Sequence, residues 1–289
     1  MVDALPERIA SEVAALVPGA DLDNVTTLGN GIATTAYEIT APSGAWVIRV
    51  SNDYPEPWRW RGGRRYEVPL LRELAEYRLP VPRDPFAIEA DDGYPVAVVE
   101  RKVDGRPWSP TCDREFLARQ VARFLSVLHR YPVSKAEDLG LPVVEHGPEA
   151  RGLLAAAAPN LTRDLHRFLD EWIKGIEQNE LPRALVHGDV RTEHLYVDAD
   201  DTLVGIIDFG DASISDPAYD LAKLTSELGE EFGSSLVRHY GRADDTAFIS
   251  RIRSYRGIEL LWQVARSDTS DSERRESLQS LTRLYEQDE

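Results

Sequence analysis

Leu185-Val186-His187-Gly188-Asp189, then His194, then Gly205-Ile206-Ile207-Asp208-Phe209-Gly210-Asp211: on this stretch the reading of the 289-residue chain turns. Asp189 ends one apolar run and Asp208 ends the next. If the two runs are neighbouring strands, both carboxylates lie at one sheet edge, about 5 Å apart laterally per strand spacing. That arrangement suits one carboxylate beside a reacting hydroxyl and another on a divalent metal. Alone, each aspartate would read as a turn residue capping a strand. With His187, His194 and Asp216-Pro217 at these spacings, the chemical reading is favoured.

His194 follows Asp189 by five positions and Asp208 follows it by nineteen. These separations match the template for phosphoryl transfer, with a catalytic-loop Asp, a metal ligand five positions on, and a second Asp heading Asp-Phe-Gly. Nucleotide β- and γ-phosphates are held in line by Mg²⁺, which prefers hard oxygen ligands such as Asp208. Asp189 would orient the acceptor hydroxyl and take its proton.

Working outward, Ile9, Val13, Leu16 and Val17 repeat at helical spacing. Val25 to Leu28, Ala36 to Ile39 and Trp46 to Val50 alternate as strands, with a hairpin turn at Pro42-Ser43-Gly44. Residues 51–63, rich in Pro, Trp, Arg and Gly, read as a loop. Tyr66 to Tyr77 is helical, provided that Pro69 falls in the first turn. Leu79-Pro80-Val81-Pro82 forces extended backbone, and strands follow at Phe86 to Ile88 and Val96 to Val99. Beyond Val103 the period becomes helical. Leu117, Val121, Phe124, Leu125 and Leu128 form one stripe, and Leu165, Phe168, Leu169, Trp172, Ile173 and Ile176 another. The pattern predicts an α+β protein. Its small antiparallel-sheet lobe spans residues 1–102, its large, mainly helical lobe spans 103–289, and a ligand cleft is expected at their junction.

The chain carries 33 basic and 50 acidic residues, a net charge of −17. Such a surface disfavours nucleic acid and anionic membrane, which both require basic patches. Between residues 182 and 220 there are nine acidic residues and two basic ones, so negative charge gathers around the predicted site. The single Cys112 cannot form an internal disulfide or a thiolate metal centre. Met1 to Ala10 contains Asp3, Glu7 and Arg8 and has no apolar signal core, and no run is long enough to cross a bilayer. A cytoplasmic location is expected, and no protein partner is implied.

The stretch from Leu185 through Leu221, ending in Ser215-Asp216-Pro217-Ala218-Tyr219-Asp220-Leu221-Ala222, resembles the signature of the aminoglycoside phosphotransferase family of protein-kinase-like small-molecule kinases. Weaker similarity spans most of the chain. The resemblance implies a bilobal kinase-like fold, ATP or GTP as phosphoryl donor, and Mg²⁺. It makes Asp189 the catalytic base and Asp208 and His194 the metal ligands. Arg49 stands where the third strand carries a phosphate-binding Lys, and Glu67 stands where a helix Glu pairs with it. Gly29 and Gly31 fall in the phosphate loop, and Val99, Glu100 and Arg101 in the hinge that contacts the base through its backbone.

Three features depart from the family pattern. His194 replaces the usual Asn, as it does in the 2″-aminoglycoside and 2′-macrolide phosphotransferases. Arg49 replaces Lys. The loop Leu28-Gly29-Asn30-Gly31-Ile32-Ala33-Thr34-Thr35 lacks the full Gly-x-Gly-x-x-Gly.

Asp211, Glu227, Glu230, Glu231, Glu259 and Trp262 are the expected acceptor-binding residues. Acidic walls and an aromatic face attract the ammonium groups of an aminoglycoside antibiotic, the expected acceptor, which makes resistance the expected function. A macrolide would call instead for an apolar groove, for which Trp58, Trp60 and Trp108 are candidates. A metabolic hydroxyl such as that of a sugar, choline or homoserine is a third choice. A catalytically dead nucleotide-binding module is the rival from outside the enzymes. His187, Asp216 and Asp220 read as structural braces, and His129, His146, His166 and His239 as ordinary packing residues.

Overall fold

The computed structural model describes residues 5–31, 33–56, 64–178, 180–266 and 269–286. Trp58 and Trp60 lie outside the described residues. The chain opens with helix α1 (Glu7–Leu16), strands β1 (Asp21–Asn30), β2 (Thr34–Ala41) and β3 (Gly44–Ser51), and helix α2 (Glu67–Glu76). Strands β4 (Phe86–Glu89), β5 (Pro95–Arg101) and β6 (Arg106–Pro107) follow, then helices α3 (Arg114–Leu128), α4 (Val133–Asp138), α5 (His146–Ala157) and α6 (Arg163–Gln178). Next come strands β7 (Ala184–Val186), β8 (Leu195–Val197), β9 (Leu203–Ile206) and β10 (Ser213–Ser215), and helices α7 (Ala218–Tyr240), α8 (Thr246–Ala265) and α9 (Asp271–Glu286).

Two compact units result. The first comprises residues 1–108, 134–142 and 193–212, and the second 109–133, 143–192 and 213–289. The division is not one cut after residue 102, because β8 pairs with β6 and β9 with β8, which carries their segment into the first unit.

The first unit is built on an antiparallel sheet in the order β1-β2-β3-β5-β4. Strand alternation sends Ile39, Trp46, Ile48, Val50, Ala97 and Val99 to one face, where Ile9, Val13 and Val17 complete a core. The other face presents Val47, Arg49, Val98 and Glu100. Pro69 is the third residue of α2. In that first turn no intrahelical N–H bond is lost, so the proline is tolerated.

The second unit is mainly helical. Asp113 caps α3 by accepting from the Phe116 N–H at 3.0 Å, and the expected stripe from Leu117 to Leu128 is buried. Helix α8 closes on α6 at Gly257, where a Cβ would lie 2.4 Å from the Trp172 ring. Helix α7 kinks at Gly229, whose φ of 83° favours glycine.

One expectation is corrected. The strands ending near Asp189 and Asp208 are not neighbours. β7 pairs with β10, whereas β9 pairs with β8 in a separate three-stranded sheet. The reason is a local hairpin: the Asp198 carboxylate accepts from the N–H groups of Asp200 and Thr202, both at 2.9 Å, and turns the chain from β8 into β9. The two aspartates therefore belong to different sheets and different units.

Candidate active site

In the first unit a cavity of about 320 Å³ is lined by Leu28, Gly29, Gly31, Val47, Glu100, His194 and Asp208, among others. That volume falls within the range of small-ligand sites. Gly29 pairs with Ala36 across β1 and β2, and a Cβ there would meet nothing within 4 Å. The Gly31 N–H donates to the Thr34 carbonyl at 2.8 Å and closes the turn between those strands.

Arg49 organises the cavity. Its guanidinium is buried and donates to Glu67 of α2 in a close pair, to Asp208 Oδ1 at 3.0 Å, and lies 3.6 Å from Glu100 Oε1. Burial opposes its charge, but Glu67, Glu100 and Asp208 together hold it firmly protonated. Glu100 is the less expected member. Besides the backbone that the resemblance assigned to the hinge, it turns a buried side chain toward Arg49. Burial pushes its carboxyl up to about 7 against the pull of Arg49. Its Oε2 accepts no hydrogen bond among the described residues.

Val99 sits in β5 between Ile48 and Phe86, its side chain in the core away from the cavity. The Arg101 guanidinium stacks on Trp46, 4.6 Å from the ring centre.

Asp208 follows β9 with a left-handed backbone, φ 65° and ψ 67°. A non-glycine residue there stores strain of the kind found at functional sites. Its Oδ2 lies 3.9 Å from His194 Nε2. Behind it, the Tyr66 hydroxyl donates to the Gly210 carbonyl at 2.8 Å, and Arg64 lies 4.0 Å from Asp211. Among the described residues no three His, Cys, Asp or Glu side chains form a metal cage. Magnesium does not require one, since it keeps waters and phosphate oxygens around one or two carboxylates. The cavity-lining Asp208 carboxylate fits that role. His194, a nitrogen donor, is the softer partner.

In the second unit, Asp220 fixes the loop that carries Asp189. The buried Asp220 carboxylate accepts from the N–H groups of His187 at 2.8 Å and Gly188 at 2.9 Å, and pairs with His129 Nε2 at 2.9 Å. Burial alone would raise this carboxyl, but His129, His187 and the backbone donor hold it below the usual carboxylate range. The His129 ring reaches on to the Tyr240 hydroxyl, which burial pushes up to about 12. Asp216 accepts from Arg251 Nε at 2.7 Å, the Tyr255 hydroxyl at 3.3 Å and the Ala218 N–H at 3.0 Å.

Asp189 has two cationic partners that the sequence did not single out. Its Oδ1 accepts from Arg191 Nε at 2.8 Å and Lys223 Nζ at 3.2 Å. Arg191 also meets Glu227 at 3.1 Å and Glu259 at 3.8 Å, and Lys223 meets Glu259 at 3.1 Å. The structure thus brings Glu227 and Glu259 beside Asp189. It pairs Glu230 closely with Arg256, leaves Glu231 exposed on α7, sets Arg266 over the Trp262 ring at 4.2 Å, and puts Asp211 in the other unit. A signal for Lys223 was present. A Lys inside the apolar run Leu221-Ala222-Lys223-Leu224, one turn from Tyr219, is buried only when paired.

The fold is kinase-like α+β, with Asp208 beside the Arg49–Glu67 pair in one unit and the braced Asp189 loop in the other. Residues 24–258 match the phosphotransferase enzyme family, APH, and the chain belongs to that family. A homoserine kinase of Caulobacter sp. (strain K31) is 25% identical over 228 residues, covering 73% of this chain and 68% of that one. Viomycin phosphotransferase of Streptomyces vinaceus is 28% identical over 212 residues, covering 68% and 73%. Among solved structures, the GDP and kanamycin complex of APH(2″)-IIIa superposes with a TM-score of 0.76 at 24% identity, over 98% of this chain and 99% of that one. A macrolide 2′-phosphotransferase from Brachybacterium faecium superposes at 0.69 with 17% identity, over 96% and 98%. No described helix is long and apolar enough to cross a membrane.

Proposed function

We propose that the protein transfers the γ-phosphoryl group of ATP or GTP to a hydroxyl of a small amine-bearing molecule. The observation that carries this reading is the buried Arg49 held between Glu67 and Asp208 on the wall of the first-unit cavity. Arg49 supplies a permanent charge and a fork suited to phosphate oxygens. Glu67 fixes its direction. Asp208, with His194, would hold Mg²⁺, which when bound neutralises charge on the β- and γ-phosphates.

Asp189 orients the acceptor hydroxyl. The hydroxyl oxygen forms the new bond to the γ-phosphorus, the bond to the β–γ bridging oxygen breaks, and the hydroxyl proton passes to the Asp189 carboxylate. Arg191 and Lys223 donate to Oδ1 and so fix the direction in which that carboxylate points. A donor of this kind suits a cytoplasmic enzyme.

Two acceptor classes have support. An aminoglycoside is supported by the kanamycin complex of a structural neighbour, and the viomycin phosphotransferase relative supports resistance as the outcome without favouring that acceptor class. A monoamine is supported by the homoserine kinase relatives and the macrolide phosphotransferase neighbour.

The test is product mass after incubation with Mg²⁺, nucleotide and an acceptor panel, for wild type, Asp189→Asn and Asp208→Asn. Asn keeps the left-handed backbone at 208 accessible. Each variant is expected to lose on the order of 100-fold or more in rate, as removal of a positioned acid–base group does. Full activity in either would end this assignment.

A further inference from the structure

We infer that the acceptor carries a single ammonium group, and that Arg191 and Lys223 set this limit. The inference rests on the phosphotransfer reading above and concerns the acceptor side of that reaction. The carboxylates beside Asp189 already have cations of the protein's own. Glu227 Oε1 pairs with Arg191 at 3.1 Å, while its Oε2 accepts from the Thr192 N–H at 2.9 Å. Glu259 Oε1 accepts from Lys223 at 3.1 Å and from the Tyr219 hydroxyl at 3.0 Å, and its Oε2 faces Arg191 at 3.8 Å. Asp189 Oδ1 takes both cations.

Three carboxylates and two cations leave one unit of negative charge in this cluster. One guest ammonium balances it, whereas several overshoot.

Neither cation can step aside cheaply. Arg191 stays protonated, because the pull of Asp189, Glu259 and Glu227 outweighs its burial. Lys223 is buried, at 8% exposure, so its ammonium has no route to bulk water without breaking both pairs. The same compensation recurs nearby. Arg256 pairs with Glu230, and Arg266 covers the Trp262 face that a ligand cation would use. A polyamine such as an aminoglycoside would therefore bring its further ammonium groups to a cluster that already holds two cations of the protein's own. A hydroxylated monoamine, whether a hydroxy-amino acid or a macrolide with one amine, meets no such conflict.

The experiment uses the full chain and three probes, namely L-homoserine, erythromycin and kanamycin. Kanamycin binding is titrated calorimetrically against wild type, Arg191→Gln and Lys223→Met, and product mass is followed with Mg²⁺ and ATP or GTP. Removing one cation is expected to tighten kanamycin by about 10-fold or more, as relief of like-charge juxtaposition should. Wild type is expected to prefer homoserine or erythromycin over kanamycin by about 100-fold in kcat/KM, a discrimination of ordinary size for opposed charges. The preferred probe identifies the source of the monoamine.

Tight kanamycin binding to wild type, left unchanged or weakened in both variants, would overturn the inference. So would kanamycin as the preferred acceptor. Absence of product with all three probes would strike the phosphotransfer reading instead, while the kanamycin titration still decides the charge limit.

Discussion

Glu100→Gln should stabilise the protein at alkaline pH and leave it unchanged in acid. Around Arg49 stand Glu67, Glu100 and Asp208, so the guanidinium is outnumbered by carboxylates. Glu100 is 4% exposed, and burial pushes its carboxyl from 4.5 to about 7. A carboxyl raised in the folded state binds its proton more tightly there than in the unfolded chain. Its contribution is therefore fully present below the unfolded value, near 4.5, and is lost as pH rises through about 7. Each pKa unit is worth about 1.4 kcal/mol, so ionising Glu100 costs the folded state about 3 kcal/mol by pH 8.

Gln keeps the shape and an oxygen for Arg49 but cannot ionise. Its amide replaces an Oε2 that already accepts no hydrogen bond, so the variant should match protonated wild type near pH 4.5. The assay is urea unfolding of both proteins at intervals from pH 4.5 to 8.5, followed by circular dichroism. The expected result is a stability gap that opens between pH 5 and 8 toward about 3 kcal/mol in favour of Gln. A gap that does not change with pH, or a Gln variant less stable at pH 8, would refute the reasoning.

Asp220→Asn should cost about 3 kcal/mol or more, because it breaks a buried pair with His129 and weakens two backbone bonds to the Asp189 loop; chemical denaturation measures the cost, and phosphotransfer should fall with it. The depressed Asp220 carboxyl implies the opposite pH trend to Glu100, with its contribution present above the unfolded value of 3.8 and lost on acidification below that point, which acid unfolding of wild type against Asp220→Asn would reveal. Gly205→Ala should destabilise by about 1–3 kcal/mol, since a Cβ there would lie 2.4 Å from the branched Val103 side chain, and a thermal melt tests it.

Much of this protein was legible in one dimension. The alternation through Trp46 to Val50 and Val96 to Val99 fixed which residues face the core, because the side-chain period of a strand is two. The helical stripe of α3 was as clear, and the Asp189, His194 and Asp208 spacing pointed to phosphotransfer, the class of the family to which the chain belongs. Pairing of Arg49 with Glu67, implied by resemblance, is present as a buried ion pair.

Tertiary structure alone decided which strands adjoin. The runs before Asp189 and Asp208 looked like neighbours, but the Asp198 turn paired β9 with β8 instead. Strand partners depend on turn geometry and long-range register, which a hydrophobic pattern does not encode. Likewise the sequence displayed Glu227, Glu259 and Trp262 as open to a ligand's ammonium groups. Only the folded chain carries Lys223, one turn into α7, and Arg191, two residues past Asp189, onto the same carboxylates. Net charge sums over a sequence without regard to distance, whereas the charge a ligand meets is set within a few ångströms, where a buried cation cancels a carboxylate that composition counts in full.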